Sequence, residues 1–125
     1  MVIVKPMMEP ETILDTDKLY RRLREEDFKE GQLKSSAFSD AQKEPSVHLE
    51  RLADFNSIEE VYSETIGYAI FLTHTLRKHE FDAEHRPLSS DVSHSVILTL
   101  SQNGFTKSAR KKLKKLVSQI LNTDI

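Results

Sequence analysis

The chain contains no cysteine in its 125 residues, which excludes a disulfide framework and any cysteine-ligated zinc site and suits a reducing cytoplasm. Long apolar runs are also missing. The opening MVIVKPMMEPE falls far short of the roughly 7 to 15 apolar residues of a signal-peptide core or the roughly 18 of a membrane span. A soluble, cytoplasmic chain with no membrane association is the expectation. No internal repeat and no low-complexity segment is visible. No serine sits in a Gly-x-Ser-x-Gly elbow, and there is no Walker loop, no dinucleotide fingerprint and no His-Glu-x-x-His helix. These absences give no support for a bound cofactor, a metal centre or a serine nucleophile.

What is present reads as one domain. A length of 125 residues is near the modal domain size and buries roughly two thirds of the unfolded surface. Residues 1–16 carry two prolines and no helical or strand period, so they read as an extended arm that docks loosely or moves. Residues 17–125 form the domain. The formal net charge is −2, but it is unevenly spread. Residues 1–64 hold 9 Lys/Arg against 15 Asp/Glu, whereas residues 104–125 hold 6 against 1. Such polarity fits self-complementation, head-to-tail association, or a basic face kept for an anionic partner.

KLYRRL places Leu19, Arg21 and Leu23 on one side of an extended segment and Tyr20, Arg22 and Arg24 on the other, although LYRRLREEDF also fits a helix. KEGQLKSSAFSDAQKEP reads as a long loop with a brief extended piece at residues 36–38. In PSVHLERLADF, Val47 and Leu49 alternate with His48 and Glu50, as a half-buried strand requires. NSIEEVYSETIG carries a capping box at Ser57 and Glu60, with Gly67 as the helix stop. YAIFLTHTLRKHEF predicts a central strand running into a short helix, and EFDAEHRP an edge strand stopped by Pro87. SHSVILTLSQNG is the clearest strand. A final helix starts after the N-cap Thr106 and aligns Ala109, Leu113, Leu116, Val117, Ile120 and Leu121 on one stripe. Together these elements predict an α+β fold. A mostly antiparallel sheet of four to five strands is packed by the C-terminal amphipathic helix and one or two shorter helices, and is covered on one face.

Four of the five histidines, His74, His79, His85 and His94, fall within 21 residues, but their spacings match no zinc signature. His94, at the mouth of the best strand and flanked by Ser93 and Ser95, is the one candidate general base or phosphate ligand. Arg21 and Arg22 either pair with the following REED acids or make a bidentate contact with a phosphate or carboxylate. Which of the two faces the core stays open. Ser35, Ser36, Ser39 and Ser46 read as caps and turn formers. On the last helix, Lys107, Arg110, Lys111, Lys114 and Lys115 join Arg21 and Arg22 as candidate anion- or partner-binding residues.

The runs LYRRL, SSAFSD, SVHLERL, SHSVI and TKSARKKL resemble a family of small bacterial proteins to which no activity is attached. The resemblance spans residues 18–115. It implies that Arg21 or Arg22, the SAF loop, Ser46, Val47 and His94 form a recurring pattern. The placement of Arg22 and of the SV strand is also similar to that in ADP-ribosyltransferase-like toxins, small α+β domains in which an early strand arginine holds the cofactor's phosphates. The chain departs from that pattern in having no late catalytic glutamate after its last strand.

Three functions follow in rank. The first is a non-enzymatic accessory or protein-interaction module, alone or as a homo-oligomer, whose basic C-terminal helix faces an anionic or acidic partner. The second is a nucleic-acid or nucleotide binder, weakened by the overall negative charge and by having only Tyr20, Phe28 and Phe38 as exposed aromatics for base stacking. The third is a small enzyme acting on a nucleotide or phosphorylated substrate through Arg22 and His94, which requires both side chains to reach one pocket.

Overall fold

A computed structural model describes residues 8–40 and 44–122. Residues 1–7 of the expected arm lie outside the described residues, as do residues 41–43 of the long loop and residues 123–125. The fold is α+β, built on a six-stranded antiparallel sheet. Its strands are β1 (Lys18–Leu23), β4 (Ser46–Leu49), β5 (Gly67–Leu72), β6 (Phe81–His85), β7 (His94–Thr99) and β8 (Gln119–Asn122). The spatial order is β6-β7-β4-β1-β5-β8. A separate hairpin pairs β2 (Phe28–Lys29) with β3 (Gln32–Leu33), and three helices, α1 (Phe55–Val61), α2 (Thr73–Lys78) and α3 (Lys107–Lys115), complete the set.

Alternation decides the two faces of the sheet. Leu19 and Leu23 of β1, Val47 and Leu49 of β4, Ala69 and Phe71 of β5, Ala83 of β6 and Ile97 of β7 all point into one core. That face is closed by Leu113 of α3, by Phe105 and by Phe38, whose ring meets Phe71 edge-on at 5.6 Å between centroids. The other face carries Tyr20 and Tyr68, which cluster with Phe55 of α1 at centroid separations of 4.9 to 5.7 Å. The second face is therefore covered in part as well, by α1 over β1 and β5, beyond the single covered face expected from the sequence.

Four local expectations are corrected. The helix α3 ends at Lys115, and Ile120 and Leu121 belong to strand β8. Their spacing fits a helix equally well, but β5 would otherwise present an open row of backbone donors and acceptors, and β8 satisfies it. The register runs from Ile70↔Gln119 to Gly67↔Asn122. The helix α1 starts at Phe55 because the Asp54 carboxylate accepts from the Ser57 N–H and hydroxyl at 3.3 and 3.0 Å, three residues before the expected cap. Gly67 opens β5 instead of stopping α1. In the long loop, residues 35–38 form a 3-10 turn, not an extended piece, and Glu30 and Gly31 at φ 53° and 78° make the tight turn of the β2–β3 hairpin.

The described part of the arm is tied to the domain. Ile13 is buried, Arg77 donates to the Ile13 carbonyl at 2.7 Å, and the Glu11 N–H donates to His85 Nδ1 at 2.8 Å. Arg51 joins Glu11 to Asp17.

Gly67 tests the β8 assignment, because a Cβ there would collide with the backbone carbonyl of Leu121. Gly67→Ala is expected to cost about 1 to 3 kcal/mol through overpacking against rigid backbone. Amide hydrogen exchange should speed up selectively at residues 119–122. Unchanged protection there, or uniform loosening of all strands, would contradict the pairing.

Candidate functional site

The basic helix divides its charges by position. Thr106 caps it by accepting from the Ala109 N–H at 3.1 Å, and Leu113 is fully buried. Lys107, Lys111 and Lys115 recur every four residues and are exposed, with half-buried Lys114 beside them. None of these four meets a carboxylate among the described residues. Lys112 does, at 3.8 Å from Glu80, and it lies 5.8 Å from the centre of the Phe81 ring. Arg110 folds back to donate to the Phe105 carbonyl at 2.7 Å. The helix thus presents a row of unpartnered lysines, with Arg110 and Lys112 turned to the protein itself.

Arg21 and Arg22 separate cleanly. Arg21 lies on the core side with Leu19 and Leu23, and its guanidinium makes five hydrogen bonds. Nε and Nη2 donate to the Ala37 carbonyl at 3.2 and 2.9 Å, Nη1 and Nη2 to the Asp40 carboxylate at 3.1 and 2.6 Å, and Nη1 to the Ser46 carbonyl at 2.8 Å. All five N–H groups are used, and none remains for an outside anion. Burial pushes the Asp40 carboxyl up, but the bonds from Arg21 and Ser46 outweigh it and hold it below the ordinary carboxylate value.

Arg22 lies on the opposite side. Its Nε donates to His48 Nε2 at 3.1 Å and its guanidinium carbon stacks 3.5 Å over the Tyr62 ring. Burial holds its pKa below the ordinary arginine value, and the pull of Tyr62, Glu64 and Asp40 does not offset it. A small cavity of ≈ 250 Å³ beside it is lined by Arg21, Arg22, Arg24, Asp27, Tyr62 and Glu64. Its charges nearly cancel, and Arg24 is already engaged with Glu26 at 3.0 Å.

Behind Arg22 runs a buried chain of polar groups. Since Nε2 of His48 accepts from Arg22, Nδ1 carries the proton and donates to Asp91 Oδ2 at 2.8 Å. The Ser93 hydroxyl donates to Asp91 Oδ1 at 2.5 Å, and the Ser93 N–H donates to the same oxygen at 3.0 Å. His48 is buried, so this network fastens the turn at residues 86–93 to β4. Alternation opposed His48 to Val47 and Leu49, but it is the turn carrying Asp91 and Ser93 that meets its ring.

His94 stands beside the network and outside it. It faces His48 across the β4–β7 ladder, yet its own contacts are the Arg86 carbonyl, 2.8 Å from Nδ1, and the Ser46 hydroxyl, 3.3 Å from Nε2. Its cleft, ≈ 510 Å³, is lined by Asp40, Glu44, Ser46, Arg86, Leu88, His94 and Val96. Arg22 and His94 thus share a face of the sheet and line separate cavities. The expected stacking aromatics are engaged too: Phe38 is fully buried, Phe28 packs on the core, and the Tyr20 hydroxyl donates to Glu50 at 2.7 Å. Among the described residues no three His, Asp or Glu side chains gather to hold a metal, and no helix is long and apolar enough to cross a membrane.

Asp91 gives the network a pH signature. Burial pushes its carboxyl up, but the bonds from His48 and Ser93 prevail and hold it at about 2, against an ordinary 3.8. A depressed carboxylate contributes stability above its unfolded value and loses it as pH falls through the folded one. Stability is therefore expected to drop between about pH 4 and about pH 2. Asp91→Asn should lower stability at neutral pH and flatten that part of the acid-unfolding curve. An unchanged acid limb in Asp91→Asn would show that His48 and Asp91 do not hold the turn.

No family model, curated protein or solved structure matches this chain, so the functional reading rests on the geometry above.

Proposed function

We propose that the chain is a small accessory module of a reducing compartment, the cytoplasm, that binds an acidic protein surface through the lysine row of α3. The observation that carries this reading is the contrast among its cations. Arg21, Arg24, Arg51, Arg77 and Arg86 are paired with carboxylates of the same chain, whereas Lys107, Lys111, Lys114 and Lys115 project from one rigid helix with no acid opposite them among the described residues. Lysine is the strongly hydrated, flexible cation that suits a reversible and wet electrostatic contact. The acidic half of a second copy is one such surface, since residues 1–64 carry six more acids than bases. Nucleic acid is the second reading. The engaged state of Tyr20, Phe28 and Phe38 disfavours it, because base stacking needs free rings.

Anisotropy titrations with a labelled polyglutamate peptide and a labelled DNA duplex, from about 50 to about 200 mM salt, separate these readings. We expect polyglutamate to bind and to weaken as salt rises. The triple variant Lys107→Glu, Lys111→Glu, Lys115→Glu should abolish that binding while each exposed change costs less than about 0.5 kcal/mol of stability. Tighter binding of the duplex, with a log–log salt slope near −3.6 for about four phosphate contacts, would transfer the function to nucleic acid. Failure to bind either at low salt, together with a salt-independent monomer by sedimentation, would overturn the proposal.

A further inference from the structure

Ser46 opens β4 and His94 opens β7, and the antiparallel register pairs Ser46 with Val96 and His48 with His94. Ser46 and His94 are therefore diagonal neighbours on one face, the relation that brings a long side chain to a short one across a ladder. The Oγ of Ser46 lies 3.3 Å from Nε2 of His94. On the far side of the ring, Nδ1 is 2.8 Å from the Arg86 carbonyl. A carbonyl only accepts, so Nδ1 carries the hydrogen and the Nε2 lone pair faces the serine hydroxyl. Nucleophile, base and orienting acceptor stand in the sequence that activates a hydroxyl, with a backbone carbonyl in the orienting place.

The pair is open, in contrast to His48. Both side chains are half-buried and line the ≈ 510 Å³ cleft, within the size range of small-molecule sites. Leu88 and Val96 give the cleft apolar wall, and Arg86, bound to Glu44 at 3.0 and 3.2 Å, is its cation. The Asp40 carboxylate accepts from the Ser46 N–H at 2.9 Å, which removes that donor from any oxyanion hole. Asp40 also draws on the Ser46 hydroxyl, in competition with His94.

We infer that Ser46 and His94 form a nucleophile–base pair that accepts the acyl group of a small ester with an apolar acyl chain. Ser46 Oγ forms a bond to the ester carbonyl carbon while its proton passes to His94 Nε2. Collapse of the tetrahedral adduct breaks the bond to the alcohol oxygen, which leaves with the proton from His94. Water, deprotonated in turn by His94, then releases the carboxylic acid and restores the serine. With the Ser46 N–H occupied and Arg86 as the one cation lining the cleft among the described residues, oxyanion stabilisation is weak, so acylation is slow and the acyl-serine lives long enough to detect.

The test uses p-nitrophenyl butyrate as probe. Intact mass and peptide mapping of the wild-type chain should show one butyryl group on Ser46, with release of nitrophenolate. Ser46→Ala should lose that adduct, and His94→Gln should slow its formation by about 100-fold or more, the usual contribution of a positioned base. The site of the adduct is read on the wild-type chain, so it needs no variant to fold, and far-UV circular dichroism checks the two variants. Adducts confined to lysines, or a Ser46 adduct that forms equally fast in folded His94→Gln, would overturn the inference.

Discussion

The Arg21 guanidinium holds together three parts of the chain that the sheet alone would leave apart. Through Ala37 it fixes the 3-10 turn, through Asp40 the descent of the long loop, and through the Ser46 carbonyl the start of β4. Phe38 enters the core next to Ala37, and α3 closes over that core through Leu113. Two ionised groups are costly to take even partly out of water, and here all five guanidinium N–H groups are matched and the carboxylate accepts from Arg21 and the Ser46 N–H. Removing either partner leaves a charge without its partner, at a cost below the roughly 3 to 5 kcal/mol of a fully buried pair because water reaches the Asp40 side. The lysine face and the Ser46–His94 cleft both depend on the 3-10 turn and on Asp40, since α3 packs against the one and the cleft is lined by the other.

Much of the sheet was legible because strand period and burial agree. Leu19 and Leu23, Val47 and Leu49, and the β-branched run of β7 each put apolar groups on one face, and all three strands are present. The choice between Arg21 and Arg22 follows from the strand period once β1 is a strand and not a helix: a residue midway between Leu19 and Leu23 shares their face. What the pattern could not carry was tertiary. Ile120 and Leu121 satisfy a helical stripe, and only the open edge of β5 makes them a strand. Asp54 and Ser57 both stand before a helical run, and hydrogen bonding to the nearby N–H selects Asp54. The site followed the same division. The lysine spacing of α3 is local and visible, whereas the meeting of Ser46 with His94 is set by the β4–β7 register across 48 residues, and that of His48 with Asp91 by the turn before β7 across 43.

Arginine and lysine divide the work of this protein. A planar fork that bonds two oxygens at once loses less freedom per hydrogen bond, so arginine appears where segments must be joined: Arg51 and Arg77 to the arm, Arg86 to Glu44, Arg21 to the loop. Lysine, with a hydrated point charge on a flexible stem, appears where the protein meets water. A net charge of −2 therefore says little about what a partner encounters. Lys107, Lys111, Lys114 and Lys115 stand together on one helix with no acid opposite them among the described residues, and steering by such a face acts on association rate and selectivity before it acts on affinity.

The two histidines that face each other across β4 and β7 have different neighbours because one is sealed and the other open. His48 spends both ring nitrogens on Arg22 and Asp91, so its lone pair is covered and it serves as a rivet. That rivet fixes the turn at residues 86–93 at its Asp91 end. The other end of the same turn supplies the Arg86 carbonyl that sets the His94 tautomer, and the Arg86 N–H closes the turn onto the His94 carbonyl at 2.9 Å. The buried network is therefore the support of the open pair: it holds a backbone acceptor in place against a ring whose second nitrogen stays turned toward Ser46. A polar network sealed from water keeps its geometry where an exposed one would exchange partners with solvent. Nothing in the alternation of β4 and β7 distinguishes the two histidines, and their division of labour comes from a single turn that takes one ring nitrogen of His94 and seals His48.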